Sequence, residues 1–268
     1  MDRLCVIVPT YGKFEYAALA ITSAIEAAAH VETHVYLVDD ASPDFHETIS
    51  RDVHIPNTIV RNLMERYPTR MRLIVNRQNM GLTKTWNAGI MAALRDTRFS
   101  FICVTNSDVV FPKNYDNGMV SALRADRVQL VGPVTNAPGT EDEQFVKHYA
   151  ETYRGPDATN MDDVQLELLA KQATKVKVAS INGFCMMAKA STWEKNMYAP
   201  EQPFRDVNPF NSKGQPNPTP AMTLQEYELQ SRWHKLGLKS GIALSSYVFH
   251  YRSVTRGPRY NKGDWTRL

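Results

Sequence analysis

Four short apolar runs, separated by stretches of helical pattern, constrain this chain more than any other feature. They are Leu4–Val8, His34–Val38, Met71–Val75 and Phe99–Val104. A run that is apolar at nearly every position, broken here only by His34, Arg72 and Ser100, suits a strand buried on both faces, as in a parallel sheet. Between the runs lie Tyr16–Ala29, rich in Ala with Leu19, Ile21 and Ile25 near helical spacing, then Asn57–Tyr67, then Asn79–Leu94 with Trp86, Ile90 and Leu94. Strand–helix–strand order predicts right-handed crossovers and an α/β doubly wound, mostly parallel sheet.

Each apolar run ends in polar residues. Thr10 follows the first, Asp39 and Asp40 the second, Asn76 the third, and Asn106, Ser107 and Asp108 the fourth. Asn, Ser and Asp are also common turn formers, so one such end carries little meaning. Four along one sheet edge describe a polar crevice, placed where open α/β sheets bind ligands. Asn106 and Asp108, one residue apart, present oxygen-bearing groups to a hard cation and a phosphate.

The second half is less regular. The sequence predicts a helix over 115–125, a short strand over 129–134, and a loop with a short helical piece over 135–156. A helix follows over 161–173 through Val164, Leu168 and Leu169. Residues 176–188 read as a strand pair or one bent strand around Asn182-Gly183, and 198–220, crowded with Pro, Asn and Gly, as a mobile lid. Thr223 and Glu226 have capping-box spacing for a helix over 223–236, and 239–251 is the last strand. The predicted organisation is one unit: a Rossmann-like nucleotide half over 1–110, a smaller mixed acceptor-side half over 111–251, and a basic tail over 252–268.

With 268 residues, 43% hydrophobic and 22% charged, the composition is that of a soluble globular protein. No apolar run approaches the roughly 18–20 residues of a membrane span, and the N-terminus does not read as a cleavable leader. Cys5, Cys103 and Cys185 lie in strand-like contexts without metal-ligand spacing and read as buried thiols in a reducing compartment. These features point to a cytoplasmic location, with peripheral membrane association left open.

Several segments resemble, in order and spacing, those of family 2 glycosyltransferases, whose nucleotide-sugar-binding fold is called GT-A. Val6-Ile7-Val8-Pro9-Thr10-Tyr11 is similar to the opening strand and nucleotide-binding turn. Val38-Asp39-Asp40-Ala41-Ser42 is similar to the second-strand signature. Asn76 to Gly81 with Asn87-Ala88-Gly89 resembles the third-strand and helix signature, and Asn106-Ser107-Asp108 a variant of the metal-binding Asp-x-Asp. Asn182 to Met187 resembles the acceptor-side segment. Gln225-Glu226-Tyr227-Glu228-Leu229, followed by Arg232, resembles the helix carrying the catalytic base, and His250 a late metal-binding His. The resemblance runs from Leu4 to about Thr255. Two positions depart from the family pattern: Asn106 stands where Asp is common, and Glu226 where the base is more often Asp.

The resemblance implies a GT-A-like fold and an inverting transferase using a nucleotide sugar, a UDP- or dTDP-sugar, with Mn²⁺ or Mg²⁺. Pro9, Thr10, Tyr11, Asp39, Asn76, Gly81, Asn106, Ser107, Asp108 and Arg256 are the expected donor-binding residues. Tyr11 would stack on the base and Asp39 would hydrogen-bond its imide or the ribose. Asn79 and Gly81 read equally well as the start of a helix. Asp108 and His250 are the expected metal ligands, imidazole favouring manganese. Glu226 is the expected base, with Glu228 in reserve; a helix-terminal carboxylate stabilised by the macrodipole is the plainer reading of either.

The tail Arg252, Arg256, Arg259, Lys262 and Arg267, with Tyr260 and Trp265, suits screening of a leaving diphosphate or contact with a polyanion. The expected acceptor is a hydroxyl on a saccharide or glycolipid precursor. The alternatives are a hydroxymethylated nucleobase, as in phage DNA glycosyltransferases with nucleic acid held by the tail, and a non-catalytic sugar- or nucleic-acid-binding module. A nucleotidyltransferase is disfavoured because Pro9-Thr10-Tyr11-Gly12-Lys13 is poor in Gly.

Overall fold

The computed structural model describes residues 1–50, 53–139, 141–155, 158–205 and 225–251. The expected basic tail, Arg256 within it, Thr223, and residues 206–220 of the expected lid lie outside the described residues, as does the nucleic-acid contact assigned to that tail.

The first half follows the apolar runs. Strands β1 (Arg3–Thr10) and β2 (Glu32–Asp39) flank helix α1 (Phe14–Ala27). A hairpin, β3 (His46–Ser50) and β4 (Val53–Pro56), precedes α2 (Thr58–Arg66), β5 (Met71–Val75), α3 (Leu82–Arg95) and β6 (Phe101–Thr105). Strand β1 pairs in parallel with β2 and with β6, and β2 with β5. Side chains alternate across a strand, so β1 feeds two cores. Leu4, Val6 and Val8 face one cluster, with Ala17, Ile21 and Ile25 of α1 and Val60 and Leu63 of α2. Cys5 and Ile7 face the other, with Trp86 and Ile90 of α3. Helices therefore cover both faces, as doubly wound packing requires.

The second half comprises β7 (Val109–Val110), α4 (Asp116–Arg124), β8 (Leu130–Thr135), α5 (Met161–Gln172), β9 (Val176–Val178), β10 (Cys185–Lys189), α6 (Ala190–Lys195), α7 (Gln225–Lys235) and β11 (Ser240–His250). Among the described residues these strands complete a nine-stranded sheet in the order β5-β2-β1-β6-β10-β8-β11-β7, with β9 beside β11. Strand β10 is antiparallel to β6 and β8, β11 is parallel to β8, and its end is antiparallel to β7. The region 176–188 is thus two strands that pair with different partners: β9 with β11, β10 with β6 and β8. Three cysteines are buried and free, and Cys103 and Cys185 face each other across β6 and β10 with their sulfurs 3.6 Å apart. No helix among the described residues is long and apolar enough to cross a membrane.

One buried carboxylate joins the halves. Asp116, at the start of α4, accepts hydrogen bonds from the backbone N–H groups of Ala29, His30 and Val31 at 3.1, 2.7 and 3.1 Å. These donors follow the last turn of α1, where burial without a partner would be costly.

Candidate functional site

The carboxyl ends of β5, β2, β1 and β6 stand side by side, and their polar residues sort into two groups. The first surrounds two adjacent aspartates. Neighbouring residues at a strand end point in opposite directions, and Asp39 and Asp40 do different things. Asp39 is fully buried and accepts from the backbone N–H of Ser42 at 3.1 Å and from the Ser42 hydroxyl. Burial pushes its carboxyl above the ordinary carboxylate range, opposed by the two Ser42 hydrogen bonds. The Ser42 hydroxyl also accepts from the Gly12 N–H at 2.6 Å, and the Thr10 hydroxyl donates to the Gly12 carbonyl at 2.7 Å. Asp39, Thr10 and the turn before α1 are therefore one hydrogen-bonded unit. Pro9 is buried opposite Val38 in the ladder, and Tyr11 projects from the turn, about half exposed.

Asp40 organises the loop after β5. It accepts from the Asn76 side chain and from the backbone N–H groups of Met80 and Gly81, each at 2.8 Å. Gly81 precedes α3 with φ of 83°, a conformation that favours glycine, and has no capping side chain of its own. Asp40 supplies the missing acceptor at that helix N-terminus. Asn76 and Gly81, expected to meet the donor, are thus tied to Asp40 in this structure, and the role of Asp40 was not foreseen.

The second group forms around Asp108. His250 Nε2 lies 3.2 Å from Asp108 Oδ1, and Asn106 Nδ2 lies 3.3 Å from the same nitrogen. Asp108, His250 and Ser107 are buried. The backbone explains the meeting: His250 pairs with Val109, and the Tyr251 N–H donates to the Asp108 carbonyl at 2.9 Å. Asn136 fixes His250 further, accepting from its N–H at 2.8 Å and donating to its carbonyl at 3.0 Å. The imidazole stacks on Phe184, ring centroids 5.2 Å apart at 14°.

A neutral imidazole offers one in-plane site at Nε2, either a proton for Asp108 or a lone pair for Asn106. A divalent cation accepting that lone pair beside the Asp108 carboxylate removes the conflict, and turning the Asn106 amide adds a third donor, an oxygen. Among the described residues no cluster of three or more His, Cys, Asp or Glu could hold a metal. Asp108 and His250, with Asn106 beside them, are the residues that would hold a cation, leaving most of its shell to other oxygen ligands.

Glu226 reaches the neighbouring segment, residues 182–184, from α7. It is buried, and a Cβ placed on Gly183 would lie 3.1 Å from its carboxyl carbon. Gly183 sits next to Phe184, so the segment 182–184 has Glu226 on one residue and His250 on the next. Five side-chain and backbone contacts hold it and the preceding Ile181. Gln230, one turn after Glu226, accepts from the Ile181 N–H and donates to the Ile181 carbonyl, both at 2.8 Å. Gln144 accepts from the Asn182 N–H at 2.5 Å. The Phe184 carbonyl accepts from the Asn106 N–H at 2.8 Å and the Thr105 hydroxyl at 2.9 Å. Sequence reasoning missed Gln144 and Gln230; a glutamine on a helix ordinarily reads as surface.

Glu228 takes another direction. It accepts from Arg232 Nε at 3.0 Å, and Arg232 donates to the carbonyls of Asn196 and Pro203 at 2.6 and 2.9 Å. Asn87 completes that junction, its amide pairing with both the N–H and the carbonyl of Phe204 at 2.8 and 3.0 Å.

Gly183 gives a local test. Its φ lies outside the left-handed region, so alanine is tolerated by the backbone, but the new methyl displaces the Glu226 carboxyl. On the expectation that Glu226 is the base, Gly183→Ala should lower turnover about tenfold with thermal stability nearly unchanged, because small misplacements of a reacting group are costly. Parallel kinetic and melting measurements check this.

Comparisons with known proteins give the family and the fold. The model of the family described as "Glycosyl transferase family 2" matches residues 5–193. No curated protein matches the sequence. Among solved structures, the chain is similar to residues 1–349 of S. aureus TarS, with a TM-score of 0.53, 14% identity and coverage of 93% of this chain and 60% of that one. It is similar to GalNAc-T7 with UDP, GalNAc and Mn²⁺, with a TM-score of 0.59, 14% identity and coverage of 92% and 43%. It is also similar to the mannosyltransferase PcManGT of Pyrobaculum calidifontis in complex with GDP-Man and Mn²⁺, with a TM-score of 0.54, 15% identity and coverage of 92% and 56%. The matched region is thus less than two thirds of each of those chains. At these identities the likeness establishes the fold, a GT-A arrangement.

Proposed function

This chain belongs to glycosyl transferase family 2, and from that premise we propose that it moves a sugar from a nucleotide sugar to an acceptor hydroxyl, with inversion at the anomeric carbon. The observation that carries this reading is that Glu226 and the Asp108–His250 pair converge on one three-residue segment, Asn182-Gly183-Phe184. A proton acceptor and a candidate cation site are thus held by one support at the carboxyl edge of the sheet.

The proposed division of labour follows the two groups. Tyr11, exposed on the turn held by Thr10 and Ser42, stacks on the nucleotide base. Asp39, buried against Ser42 here, accepts from an imide N–H of the base once Ser42 yields, and a UDP- or dTDP-sugar is the expected donor. Asp108 and His250, with Asn106 beside them, hold a divalent cation, manganese by the presence of the imidazole. When bound, that cation neutralises charge on the leaving diphosphate. Glu226 removes the proton from the acceptor hydroxyl as its oxygen attacks the anomeric carbon. The acceptor is a hydroxyl on a saccharide or glycolipid precursor, approaching from the side of residues 182–184.

A donor panel tests the proposal. UDP-, dTDP- and GDP-sugars are incubated with the protein, Mn²⁺ and mixed saccharide acceptors, and released nucleoside diphosphate is measured. Release from a uridine or thymidine donor is expected, falling to background with a chelator and returning with added Mn²⁺. Release that is unchanged by the chelator would remove the cation from the reading, and no release from any donor would remove the activity.

A further inference from the structure

We propose that Gln165 is a positioning residue for His250, acting through a three-residue excursion in β11; this rests on the reading of Asp108 and His250 as a cation site. Strand β11 begins in register with β8, Ser240 opposite Leu130 through Ala243 opposite Pro133. Pro133 has no N–H to offer the ladder. In continuing register Leu244 would stand opposite Val134, but Tyr247 stands there instead, a displacement of 247 − 244 = 3 residues. Unbroken pairing would carry Tyr247 to the position relative to β8 that His250 now occupies. An odd displacement also reverses which face each side chain takes. The excursion therefore decides both which residue reaches Asp108 and which way it points.

Residues 244–246 leave the ladder inside the protein, so their backbone groups need other partners. The Leu244 N–H donates to the Lys175 carbonyl at 3.1 Å. Gln165 supplies two further partners from α5. Its Oε1 accepts from the Tyr247 N–H at 2.7 Å, and its Nε2 donates to the Ser245 carbonyl at 2.9 Å. Gln165 is fully buried. One carboxamide thus closes the excursion at the point where β11 rejoins β8, three residues before His250. On the other side, Gly118 of α4 makes room: a Cβ there would meet the Ser245 hydroxyl at 2.4 Å, the Ser246 hydroxyl at 2.8 Å and the Ser245 backbone at 3.3 Å.

The test is Mn²⁺ binding followed by electron paramagnetic resonance, with Mn²⁺ alone and with UDP added, for the full chain and its Gln165→Leu and His250→Ala variants. Leucine keeps the bulk of Gln165 and removes the contacts to Ser245 and Tyr247, with a longer one to the Asn114 carbonyl at 3.4 Å. The wild-type chain is expected to bind, His250→Ala to lose the signal, and Gln165→Leu to bind about tenfold more weakly, as changes behind a metal ligand do. A Gln165→Leu affinity equal to wild type, whatever its melting temperature, would reduce Gln165 to a fold residue and overturn the proposal. Wild-type binding that is absent or indifferent to His250→Ala would remove the cation site itself, and the proposal with it. If Gln165→Leu does not fold, Gly118→Ala presses on the same excursion while improving helix propensity. It should weaken binding likewise, and an unchanged affinity would overturn the proposal.

Discussion

Glu226→Gln should lower the transfer rate by about 10²–10⁴, the usual range for loss of a positioned proton acceptor, while leaving the donor KM near that of wild type. The substitution keeps the side chain's length and its packing on Gly183, so the loss reports proton transfer rather than a collapsed site. A fall in kcat with KM unchanged is the signature of an interaction needed only at the transition state. Glu228→Gln is the control. Glu228 already pairs with Arg232 at 3.0 Å within α7, so its loss removes a partly exposed ion pair worth about 0–1 kcal/mol. If the Glu228 variant is the one that loses turnover, the base has been assigned to the wrong turn of the helix.

Asp108→Ala should have a comparable effect by a different route. Removing the carboxylate placed against His250 Nε2 takes away the anionic half of the proposed cation site, and the metal-dependent rate should fall by at least about 10²-fold. The fold should tolerate it, because the strand-end contact uses the Asp108 carbonyl, which accepts from the Tyr251 N–H and survives the substitution. Raising Mn²⁺ should not restore the rate. The check is a metal titration of nucleoside diphosphate release with melting curves alongside. Undiminished metal-dependent turnover would place the cation elsewhere.

The first half of the fold was legible because strands buried on both faces must be apolar at successive positions, and Leu4–Val8 has nothing else to be; Met71–Val75 stands at the edge of the sheet, with Arg72 and Val75 exposed. The polar strand ends were legible because each breaks an apolar run, although Thr10, Asp39, Asp40 and Asp108 are themselves buried. What could not be read is long-range order. Nothing local in Cys185–Lys189 says that it enters between β6 and β8, nor that the two residues Val109–Val110 make a strand with the end of β11. The hairpin over 46–56 lies in a mixed sequence with no strict alternation. The supporting side chains were also hidden. Gln144, Gln165 and Gln230 are buried because their amides replace missing backbone partners at Asn182, Tyr247 and Ile181. Asp40 illustrates the difficulty best: next to Asp39 in sequence, it faces the opposite way and holds the loop at Met80 and Gly81.

The reading as a whole turns on a single displacement, with Glu226 taking the proton on the acceptor side and the diphosphate leaving beside Asp108 and His250. The most direct measurement is the anomeric configuration of the first-formed product, followed by proton NMR with the donor that the panel identifies. The account predicts a product of inverted configuration, formed at a rate that falls with Glu226→Gln. A retained configuration, or an inverted product formed equally fast by the Glu226 variant, would contradict it.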